Sequence, residues 1–312
     1  MIPSLACILG LGLLVTGDNK GYPLSRHQYA EVHMGGRVEI TLYASSDAQA
    51  ERAARAAYAR FAELEDAASD YRPQSELMRL VAKAGTGPVP VSEDLFEMLR
   101  DARRMAVLTR GSFDPTASPL VRLWRKARET KQMPDPEALK QARELVGYRH
   151  MHLLASNRTV ELDPGTMLDL GGSAKGWACD EAMKAMVANG VDRAMVQAGG
   201  DLAVGEAPPG EKAWKIAILG RDGEPIPLRW QAMSTSGDAS QSVEIDEVRY
   251  SHIVDPRTGM GVTNRVQVTV IARRGATTDP LATALCVIAP DDVDGWEEKF
   301  NCRIIFVRED GD

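Results

Sequence analysis

From Thr159 onward the chain is a succession of short β-type runs with little helix between them, and this spacing constrains the fold more than any other feature. The runs fall at 159–163, 193–198, 213–219, 249–254, 266–272 and 303–307, with helical patterns only near 175–189 and 279–289. Strands that follow one another without a crossover pair antiparallel, because a parallel neighbour needs a connection of a dozen or more residues, usually a helix. The expected class is therefore α+β, with largely antiparallel sheets and packed helices, and not a doubly wound parallel sheet.

The first half supplies the helices. Arg37 to Tyr43 alternates apolar and polar as a half-buried strand does, and Asp47 then caps an alanine-rich helix with Ala50, Ala54, Tyr58, Phe61 and Leu64 on one stripe. Ser92 opens a second helix that stops at Gly111, and Asp135-Pro136 opens a third that stops at Gly147. No internal repeat appears, and the Gly/Pro clusters at 85–90, 205–210 and 220–227 read as turns. One continuous fold of up to two lobes is expected.

At the N-terminus, Leu5 to Val15 is an apolar run of signal-peptide length, short of the ~18 residues that a spanning helix needs. No Lys or Arg precedes it, no small-x-small cleavage site follows before Asp18, and Cys7 matches a lipoprotein acceptor only in part. Residues 1–28 read as a degraded signal or lipoprotein-like segment, or as a disordered stub, ahead of a single domain at 29–312. Lys and Arg number 37 against 44 Asp and Glu, so the net charge of −7 argues against nucleic acid as a partner. An anionic ligand then requires a local site. Cys179, Cys286 and Cys302 show no Cys-x-x-Cys pairing and read as buried thiols.

Four segments concentrate Gly, Asp and small polar residues: Gly111 to Thr116, Asp169 to Gly176, Ala198 to Asp201, and Ser234 to Asp238. Backbone N–H groups in such loops cradle phosphates where a helix N-terminus follows, as after Gly171 to Gly176, and the same compositions also make ordinary turns. In Thr278-Asp279-Pro280-Leu281-Ala282-Thr283, Asp279 reads as an N-cap with Pro280 at the first helical position. A carboxylate and the Thr283 hydroxyl then share one face, which suits Mg²⁺ and equally suits a plainly capped helix. His252 sits on a strand-like run ending in a Pro-Arg-Thr-Gly turn. It is either a general base for a hydroxyl nucleophile or a satisfied structural histidine. His27, His33, His150 and His152 form no zinc-type cluster.

With these motifs in their order, the chain resembles the ApbE-type flavin transferases from about Tyr29 onward. The resemblance is carried by His33-Met34-Gly35, Ala68 to Glu76, Phe113 to Thr116, Pro119 to Trp124, Asp169-Leu170-Gly171-Gly172 with Ala174-Lys175-Gly176, Ala198 to Asp201, Thr235-Ser236-Gly237, Ser251 to Pro256 and Asp279 to Thr283. It implies an ApbE/T-fold-like domain around a flavin site, and Mg²⁺-dependent transfer of FMN from the substrate FAD to a Thr or Ser hydroxyl of an acceptor flavoprotein, with release of AMP. It further implies that Met34, Tyr71, Ser112, Phe113, Asp114, Asp169, Lys175 and Ile253 hold FAD. Asp279, Thr283 and the Ala174 carbonyl would bind the metal, and His252 would act as the catalytic base.

The implied acceptors are subunits of membrane-associated redox complexes of the NADH:quinone reductase kind, placing the enzyme in the cell envelope on the periplasmic side. The chain departs from the family pattern at Gly36, Pro280 and Ala282. An FAD pyrophosphatase using water as nucleophile, and a non-catalytic FAD-binding protein, are the alternatives.

Overall fold

The computed structural model describes residues 23–221, 223–237, 241–288 and 293–308. The apolar N-terminal run, Cys7 and Asp238 lie outside the described residues. Fourteen strands are described: β1 (Ser25–His33), β2 (Gly36–Ala44), β3 (Val89–Pro90), β4 (Met151–Leu154), β5 (Thr159–Leu162), β6 (Ala194–Ala198), β7 (Asp201–Val204), β8 (Trp214–Ile216), β9 (Ile226–Leu228), β10 (Gln231–Ser236), β11 (Ser242–Ile245), β12 (Val248–Ser251), β13 (Val266–Ala272) and β14 (Arg303–Arg308). The helices are α1 (Asp47–Ala68), α2 (Glu76–Val81), α3 (Glu93–Leu108), α4 (Ser118–Thr130), α5 (Pro136–Glu144), α6 (Ala174–Ala188), α7 (Gly275–Val287) and α8 (Trp296–Phe300).

Seven strands form one sheet in the order β1-β2-β6-β7-β10-β13-β14, and every pair in it is antiparallel. The α+β expectation holds. Side-chain alternation divides the sheet into two buried faces. Val38, Ile40, Leu42, Val196, Ala203, Ala232, Val268 and Val270 join the main core, to which α1, α6 and α7 also contribute. Met195, Leu202, Val204, Met233 and Ile271 point the other way, onto Trp214, Ile226 and Leu228 of the β8-β9 hairpin. A third cluster joins α4 and α5 to the β11-β12 hairpin around Trp124, which is fully buried.

Local chemistry explains most element starts. Ser92 and Asp135 cap α3 and α5 as expected, each accepting the N–H of the residue three places on. The cap of α1 is Ser46, with Asp47 as its first helical residue, one place earlier than the Asp47 cap expected from the sequence. Helix α4 and strand β1 have no counterpart in that reading. The α4 pattern is obscured by four basic residues in thirteen, and β1 is exposed along most of its length.

A larger correction concerns α7. It starts at Gly275, so Asp279 lies in its second turn and Pro280 inside the helix. Proline there has no N–H for the fourth preceding carbonyl, a loss that usually breaks a helix. The start survives because the Asp180 carboxylate of α6 accepts the N–H groups of Gly275 at 2.7 Å and Ala276 at 3.1 Å. None of the described helices is long and apolar enough to cross a membrane.

Candidate active site

The sheet register brings the Met34-Gly35 turn, the Gly199-Gly200 turn and the C-terminal end of β10 to one end of the molecule. Val38 pairs with Ala198, Ala198 with Asp201, and Asp201 with Ser234. The two-residue β1-β2 hairpin forces both turn residues to positive φ, 49° at Met34 and 74° at Gly35. The first turn of α6 meets these loops: Lys175 Nζ lies 2.6 Å from Asp201 Oδ2.

Asp279 comes to the same place from α7. Its Oδ2 accepts the N–H of Gly176 at 3.0 Å, so each helix of the pair is capped by a carboxylate from the other. Glycine permits the crossing, since a Cβ on Gly275 would stand 2.1 Å from the Gly176 carbonyl oxygen. Thr283 follows one turn later, with Oγ1 3.4 Å from Ser236 Oγ. The backbone facing Thr283 is that of Gly172, whose Cβ would stand 3.1 Å from Oγ1. Ala174 is the first residue of α6 itself.

Electrostatics mark the group as unusual. Burial pushes the Asp279 carboxyl up and Asp201 adds to it, against the pull of Lys175 and the backbone N–H groups of Gly176 and Lys175. For Lys175, burial disfavours the charge, but Asp201 and Asp279 outweigh it and hold the ammonium protonated. With Asp279 ionised, two carboxylates surround one ammonium, and a divalent cation would offset the excess negative charge. Among the described residues no three His, Cys, Asp or Glu side chains gather as a metal site. An ion here would rest on the Asp279 carboxylate with hydroxyl and carbonyl oxygens, a hard and sparse donor set that fits Mg²⁺, which keeps waters and shares substrate phosphates.

The flavin residues implied by the resemblance occupy three environments. Asp114 is spent on its own loop: Oδ1 accepts the N–H and the hydroxyl of Thr116 at 2.9 and 2.6 Å, and Oδ2 accepts Tyr148 N–H at 2.8 Å. Its effect on a ligand would be through the backbone it shapes. Ser112 Oγ is buried with no protein partner, the kind of orphaned group a ligand satisfies, and buried Phe113 packs toward Gly172. The Asp169 N–H donates to Pro115 at 2.8 Å, tying this loop to the α6 loop. Tyr71 is 74% exposed.

His252 lies one residue past β12. It is half-buried, with Nδ1 3.1 Å from the Gln241 carbonyl oxygen. A carbonyl only accepts, so Nδ1 carries the proton of the neutral ring and Nε2 is its basic nitrogen. Ile253, its neighbour, is buried in the main core. An open groove of about 610 Å³ beside Trp230 and Arg273 is at the other end of the sheet, where Ala232 pairs with Ala272, and includes none of these residues.

The ApbE family model matches residues 34–306. The chain belongs to the ApbE family. Among ApbE relatives, the FAD:protein FMN transferase of Vibrio cholerae is 34% identical over 238 residues, covering 73% of this chain and 71% of its own. That of Treponema pallidum is 32% identical, covering 83% and 78% respectively. Among solved structures, the flavin transferase ApbE from Vibrio cholerae matches with a TM-score of 0.80 at 30% identity, over 92% of this chain and 95% of that one. The apo form of Pseudomonas stutzeri flavinyl transferase ApbE matches with a TM-score of 0.83 at 26% identity, over 92% of each chain.

Two residues with no signal in the local sequence stand out within this candidate site. Asp180 caps α7 from α6, and Arg125 of α4 joins Asp70 at 3.0 Å to Asp169 at 3.3 Å. Both act across elements distant in sequence, so no local spacing signals them.

Proposed function

We propose that this chain transfers FMN from FAD to a Thr or Ser hydroxyl of an acceptor flavoprotein, releasing AMP, with Mg²⁺ held by Asp279, Thr283 and the Ala174 carbonyl. The observation that carries the reading is the meeting of Lys175, Asp201, Asp279 and Thr283 at the N-terminus of α6 in an ApbE chain. When bound, Mg²⁺ supplies charge neutralisation at the pyrophosphate and at the AMP leaving group.

The remaining work falls to the chain's own groups. Lys175 would bring positive charge to the phosphates, while the first N–H groups of α6 are taken by Leu170 and Asp279. The incoming hydroxyl oxygen bonds to the FMN phosphorus, the bridging P–O bond breaks, and AMP leaves with the electron pair. His252 Nε2 takes the hydroxyl proton, a step typically worth about 10²–10⁴-fold. Little covalent chemistry falls to the protein, since in-line positioning and electrostatics govern phosphoryl transfer. Met34, Tyr71, Ser112, Phe113, Asp169 and Ile253 would hold the dinucleotide, with Asp114 shaping the loop.

The acceptor we infer is a subunit of a membrane-associated redox complex of the NADH:quinone reductase kind, modified on the outer face of the cytoplasmic membrane. The test is incubation of the protein with FAD, Mg²⁺ and a Thr-containing acceptor fragment, read by in-gel flavin fluorescence with and without EDTA. EDTA-sensitive labelling of the acceptor supports transfer. Free FMN with AMP and an unlabelled acceptor would make the chain an FAD pyrophosphatase, and intact FAD would leave a binding protein or a mismatched acceptor.

A further inference from the structure

Arg125 is the one arginine of α4 that reaches three groups at the proposed flavin site. Its guanidinium lies over the Tyr71 ring, 4.4 Å from the centroid. One nitrogen donates to Asp70 Oδ2 at 3.0 Å and the other to Asp169 Oδ2 at 3.3 Å. The side chain is 27% exposed, whereas Asp70 and Asp169 are 9% and 11% exposed. Its backbone is anchored by the preceding residue: buried Trp124 donates Nε1–H to the Gly259 carbonyl at 2.8 Å.

A free guanidinium beside a dinucleotide site would invite a phosphate. This one is already matched against two carboxylates, so a phosphate would have to displace them. What the arrangement does is hold shapes in place. Without Arg125 the two carboxylates lose the cation that bridges them, and Asp169 also accepts the Gly171 N–H at 2.7 Å in the loop leading to α6. The guanidinium covers one face of the Tyr71 ring and leaves the residue's remaining surface open, so the pair forms a fixed platform. A planar guanidinium can stack and bridge at once, and a lysine ammonium cannot.

We propose that Arg125 is a positioning residue for the dinucleotide, fixing the Tyr71 ring as a stacking platform for a flat aromatic ring of the ligand and holding Asp169 beside it. The inference rests on the transferase reading only in taking FAD as the ligand. The flat ring is supplied by the flavin end or the adenine end of FAD, and FMN and AMP tested separately distinguish them.

The experiment is FAD binding followed by flavin fluorescence in EDTA, where turnover does not interfere, with FMN and AMP as competing ligands. Arg125→Ala is expected to weaken FAD binding about tenfold, with Arg125→Lys recovering only part of it. With Mg²⁺ and acceptor present, KM for FAD should rise while kcat at saturation changes by less than about twofold. In a Tyr71→Ala background the Arg125→Ala effect should shrink to under about threefold, because the platform is already gone. Unchanged FAD affinity in Arg125→Ala, or an equal loss with and without Tyr71, would overturn the role. So would weakened binding of neither FMN nor AMP. Should Arg125→Ala fail to fold, Arg125→Gln and Arg125→Lys carry the same comparison. Wild-type protein that binds no FAD would overturn the transferase reading itself, an outcome distinct from any variant result.

Discussion

At the residue scale the proposed transfer turns on Asp279 and His252. Removing the Asp279 carboxylate takes away both the acceptor for Gly176 N–H and the one carboxylate of the proposed ion site. Asp279→Ala should therefore lose turnover by at least about 10²-fold and no longer respond to added Mg²⁺. A variant that matches wild type with Mg²⁺ would end the metal assignment. His252→Ala should bind FAD normally in EDTA and slow transfer by about 10²–10⁴-fold, since its ring holds a proton and not the ligand. Weak flavin binding with an intact rate for bound FAD would instead make His252 a binding residue. Both positions are legible in the sequence because each stands in a compact motif. The function of Asp114 is less so: a Phe-Asp-Pro-Thr string does not reveal that the carboxylate is consumed by Thr116 and Tyr148.

At the element scale the α6-α7 pair is the unit that assembles the site, and here local reasoning reached its limit. Proline at a helix start is a sound rule, yet Pro280 sits inside α7 because the helix start is capped by Asp180, ninety-five residues earlier in the chain. Caps made within a few residues, as at Ser92 and Asp135, could be read directly. Burial pushes the Asp180 carboxyl up to about 6, against the Gly275 and Ala276 N–H groups and the charges of Arg274 and Lys184. The folded state then binds the proton more tightly than the unfolded chain does. Asp180 thus favours the fold most below about pH 4, and this contribution is lost as pH rises to about 6, an effect of about 2–3 kcal/mol at most. Urea melts at pH 4 and pH 6 should show wild type losing stability relative to Asp180→Asn across that interval. A constant difference between the two proteins would contradict the assignment. Gly275→Ala should force α6 and α7 apart and weaken Mg²⁺ binding, measured calorimetrically, while the β8-β9 side of the sheet is untouched.

At the scale of the whole molecule, the uninterrupted strand spacing was enough to expect an antiparallel sheet, because strands joined without a crossover pair antiparallel, and β2 and β13 each bury residues toward the helices. The order of strands was not legible, because it depends on pairings such as β2 with β6 across more than 150 residues. Neither was the role of α4. Trp124 joins α4 to the turn after His252 through Gly259, and its ring lies 5.0 Å from that of Tyr250. Trp124→Ala should cost about 3–5 kcal/mol of stability in denaturant melts. It should also impair FAD binding and transfer together, because Arg125 and His252 both hang on that contact. A loss confined to stability would separate α4 from the site.

Transfer is tested by counting products: AMP released and flavin covalently bound to the acceptor, measured in one reaction with FAD and Mg²⁺. Equal amounts of the two are expected, both abolished by EDTA and by replacing the acceptor Thr with Val. AMP release that continues with the Val acceptor and is matched by free FMN would contradict transfer.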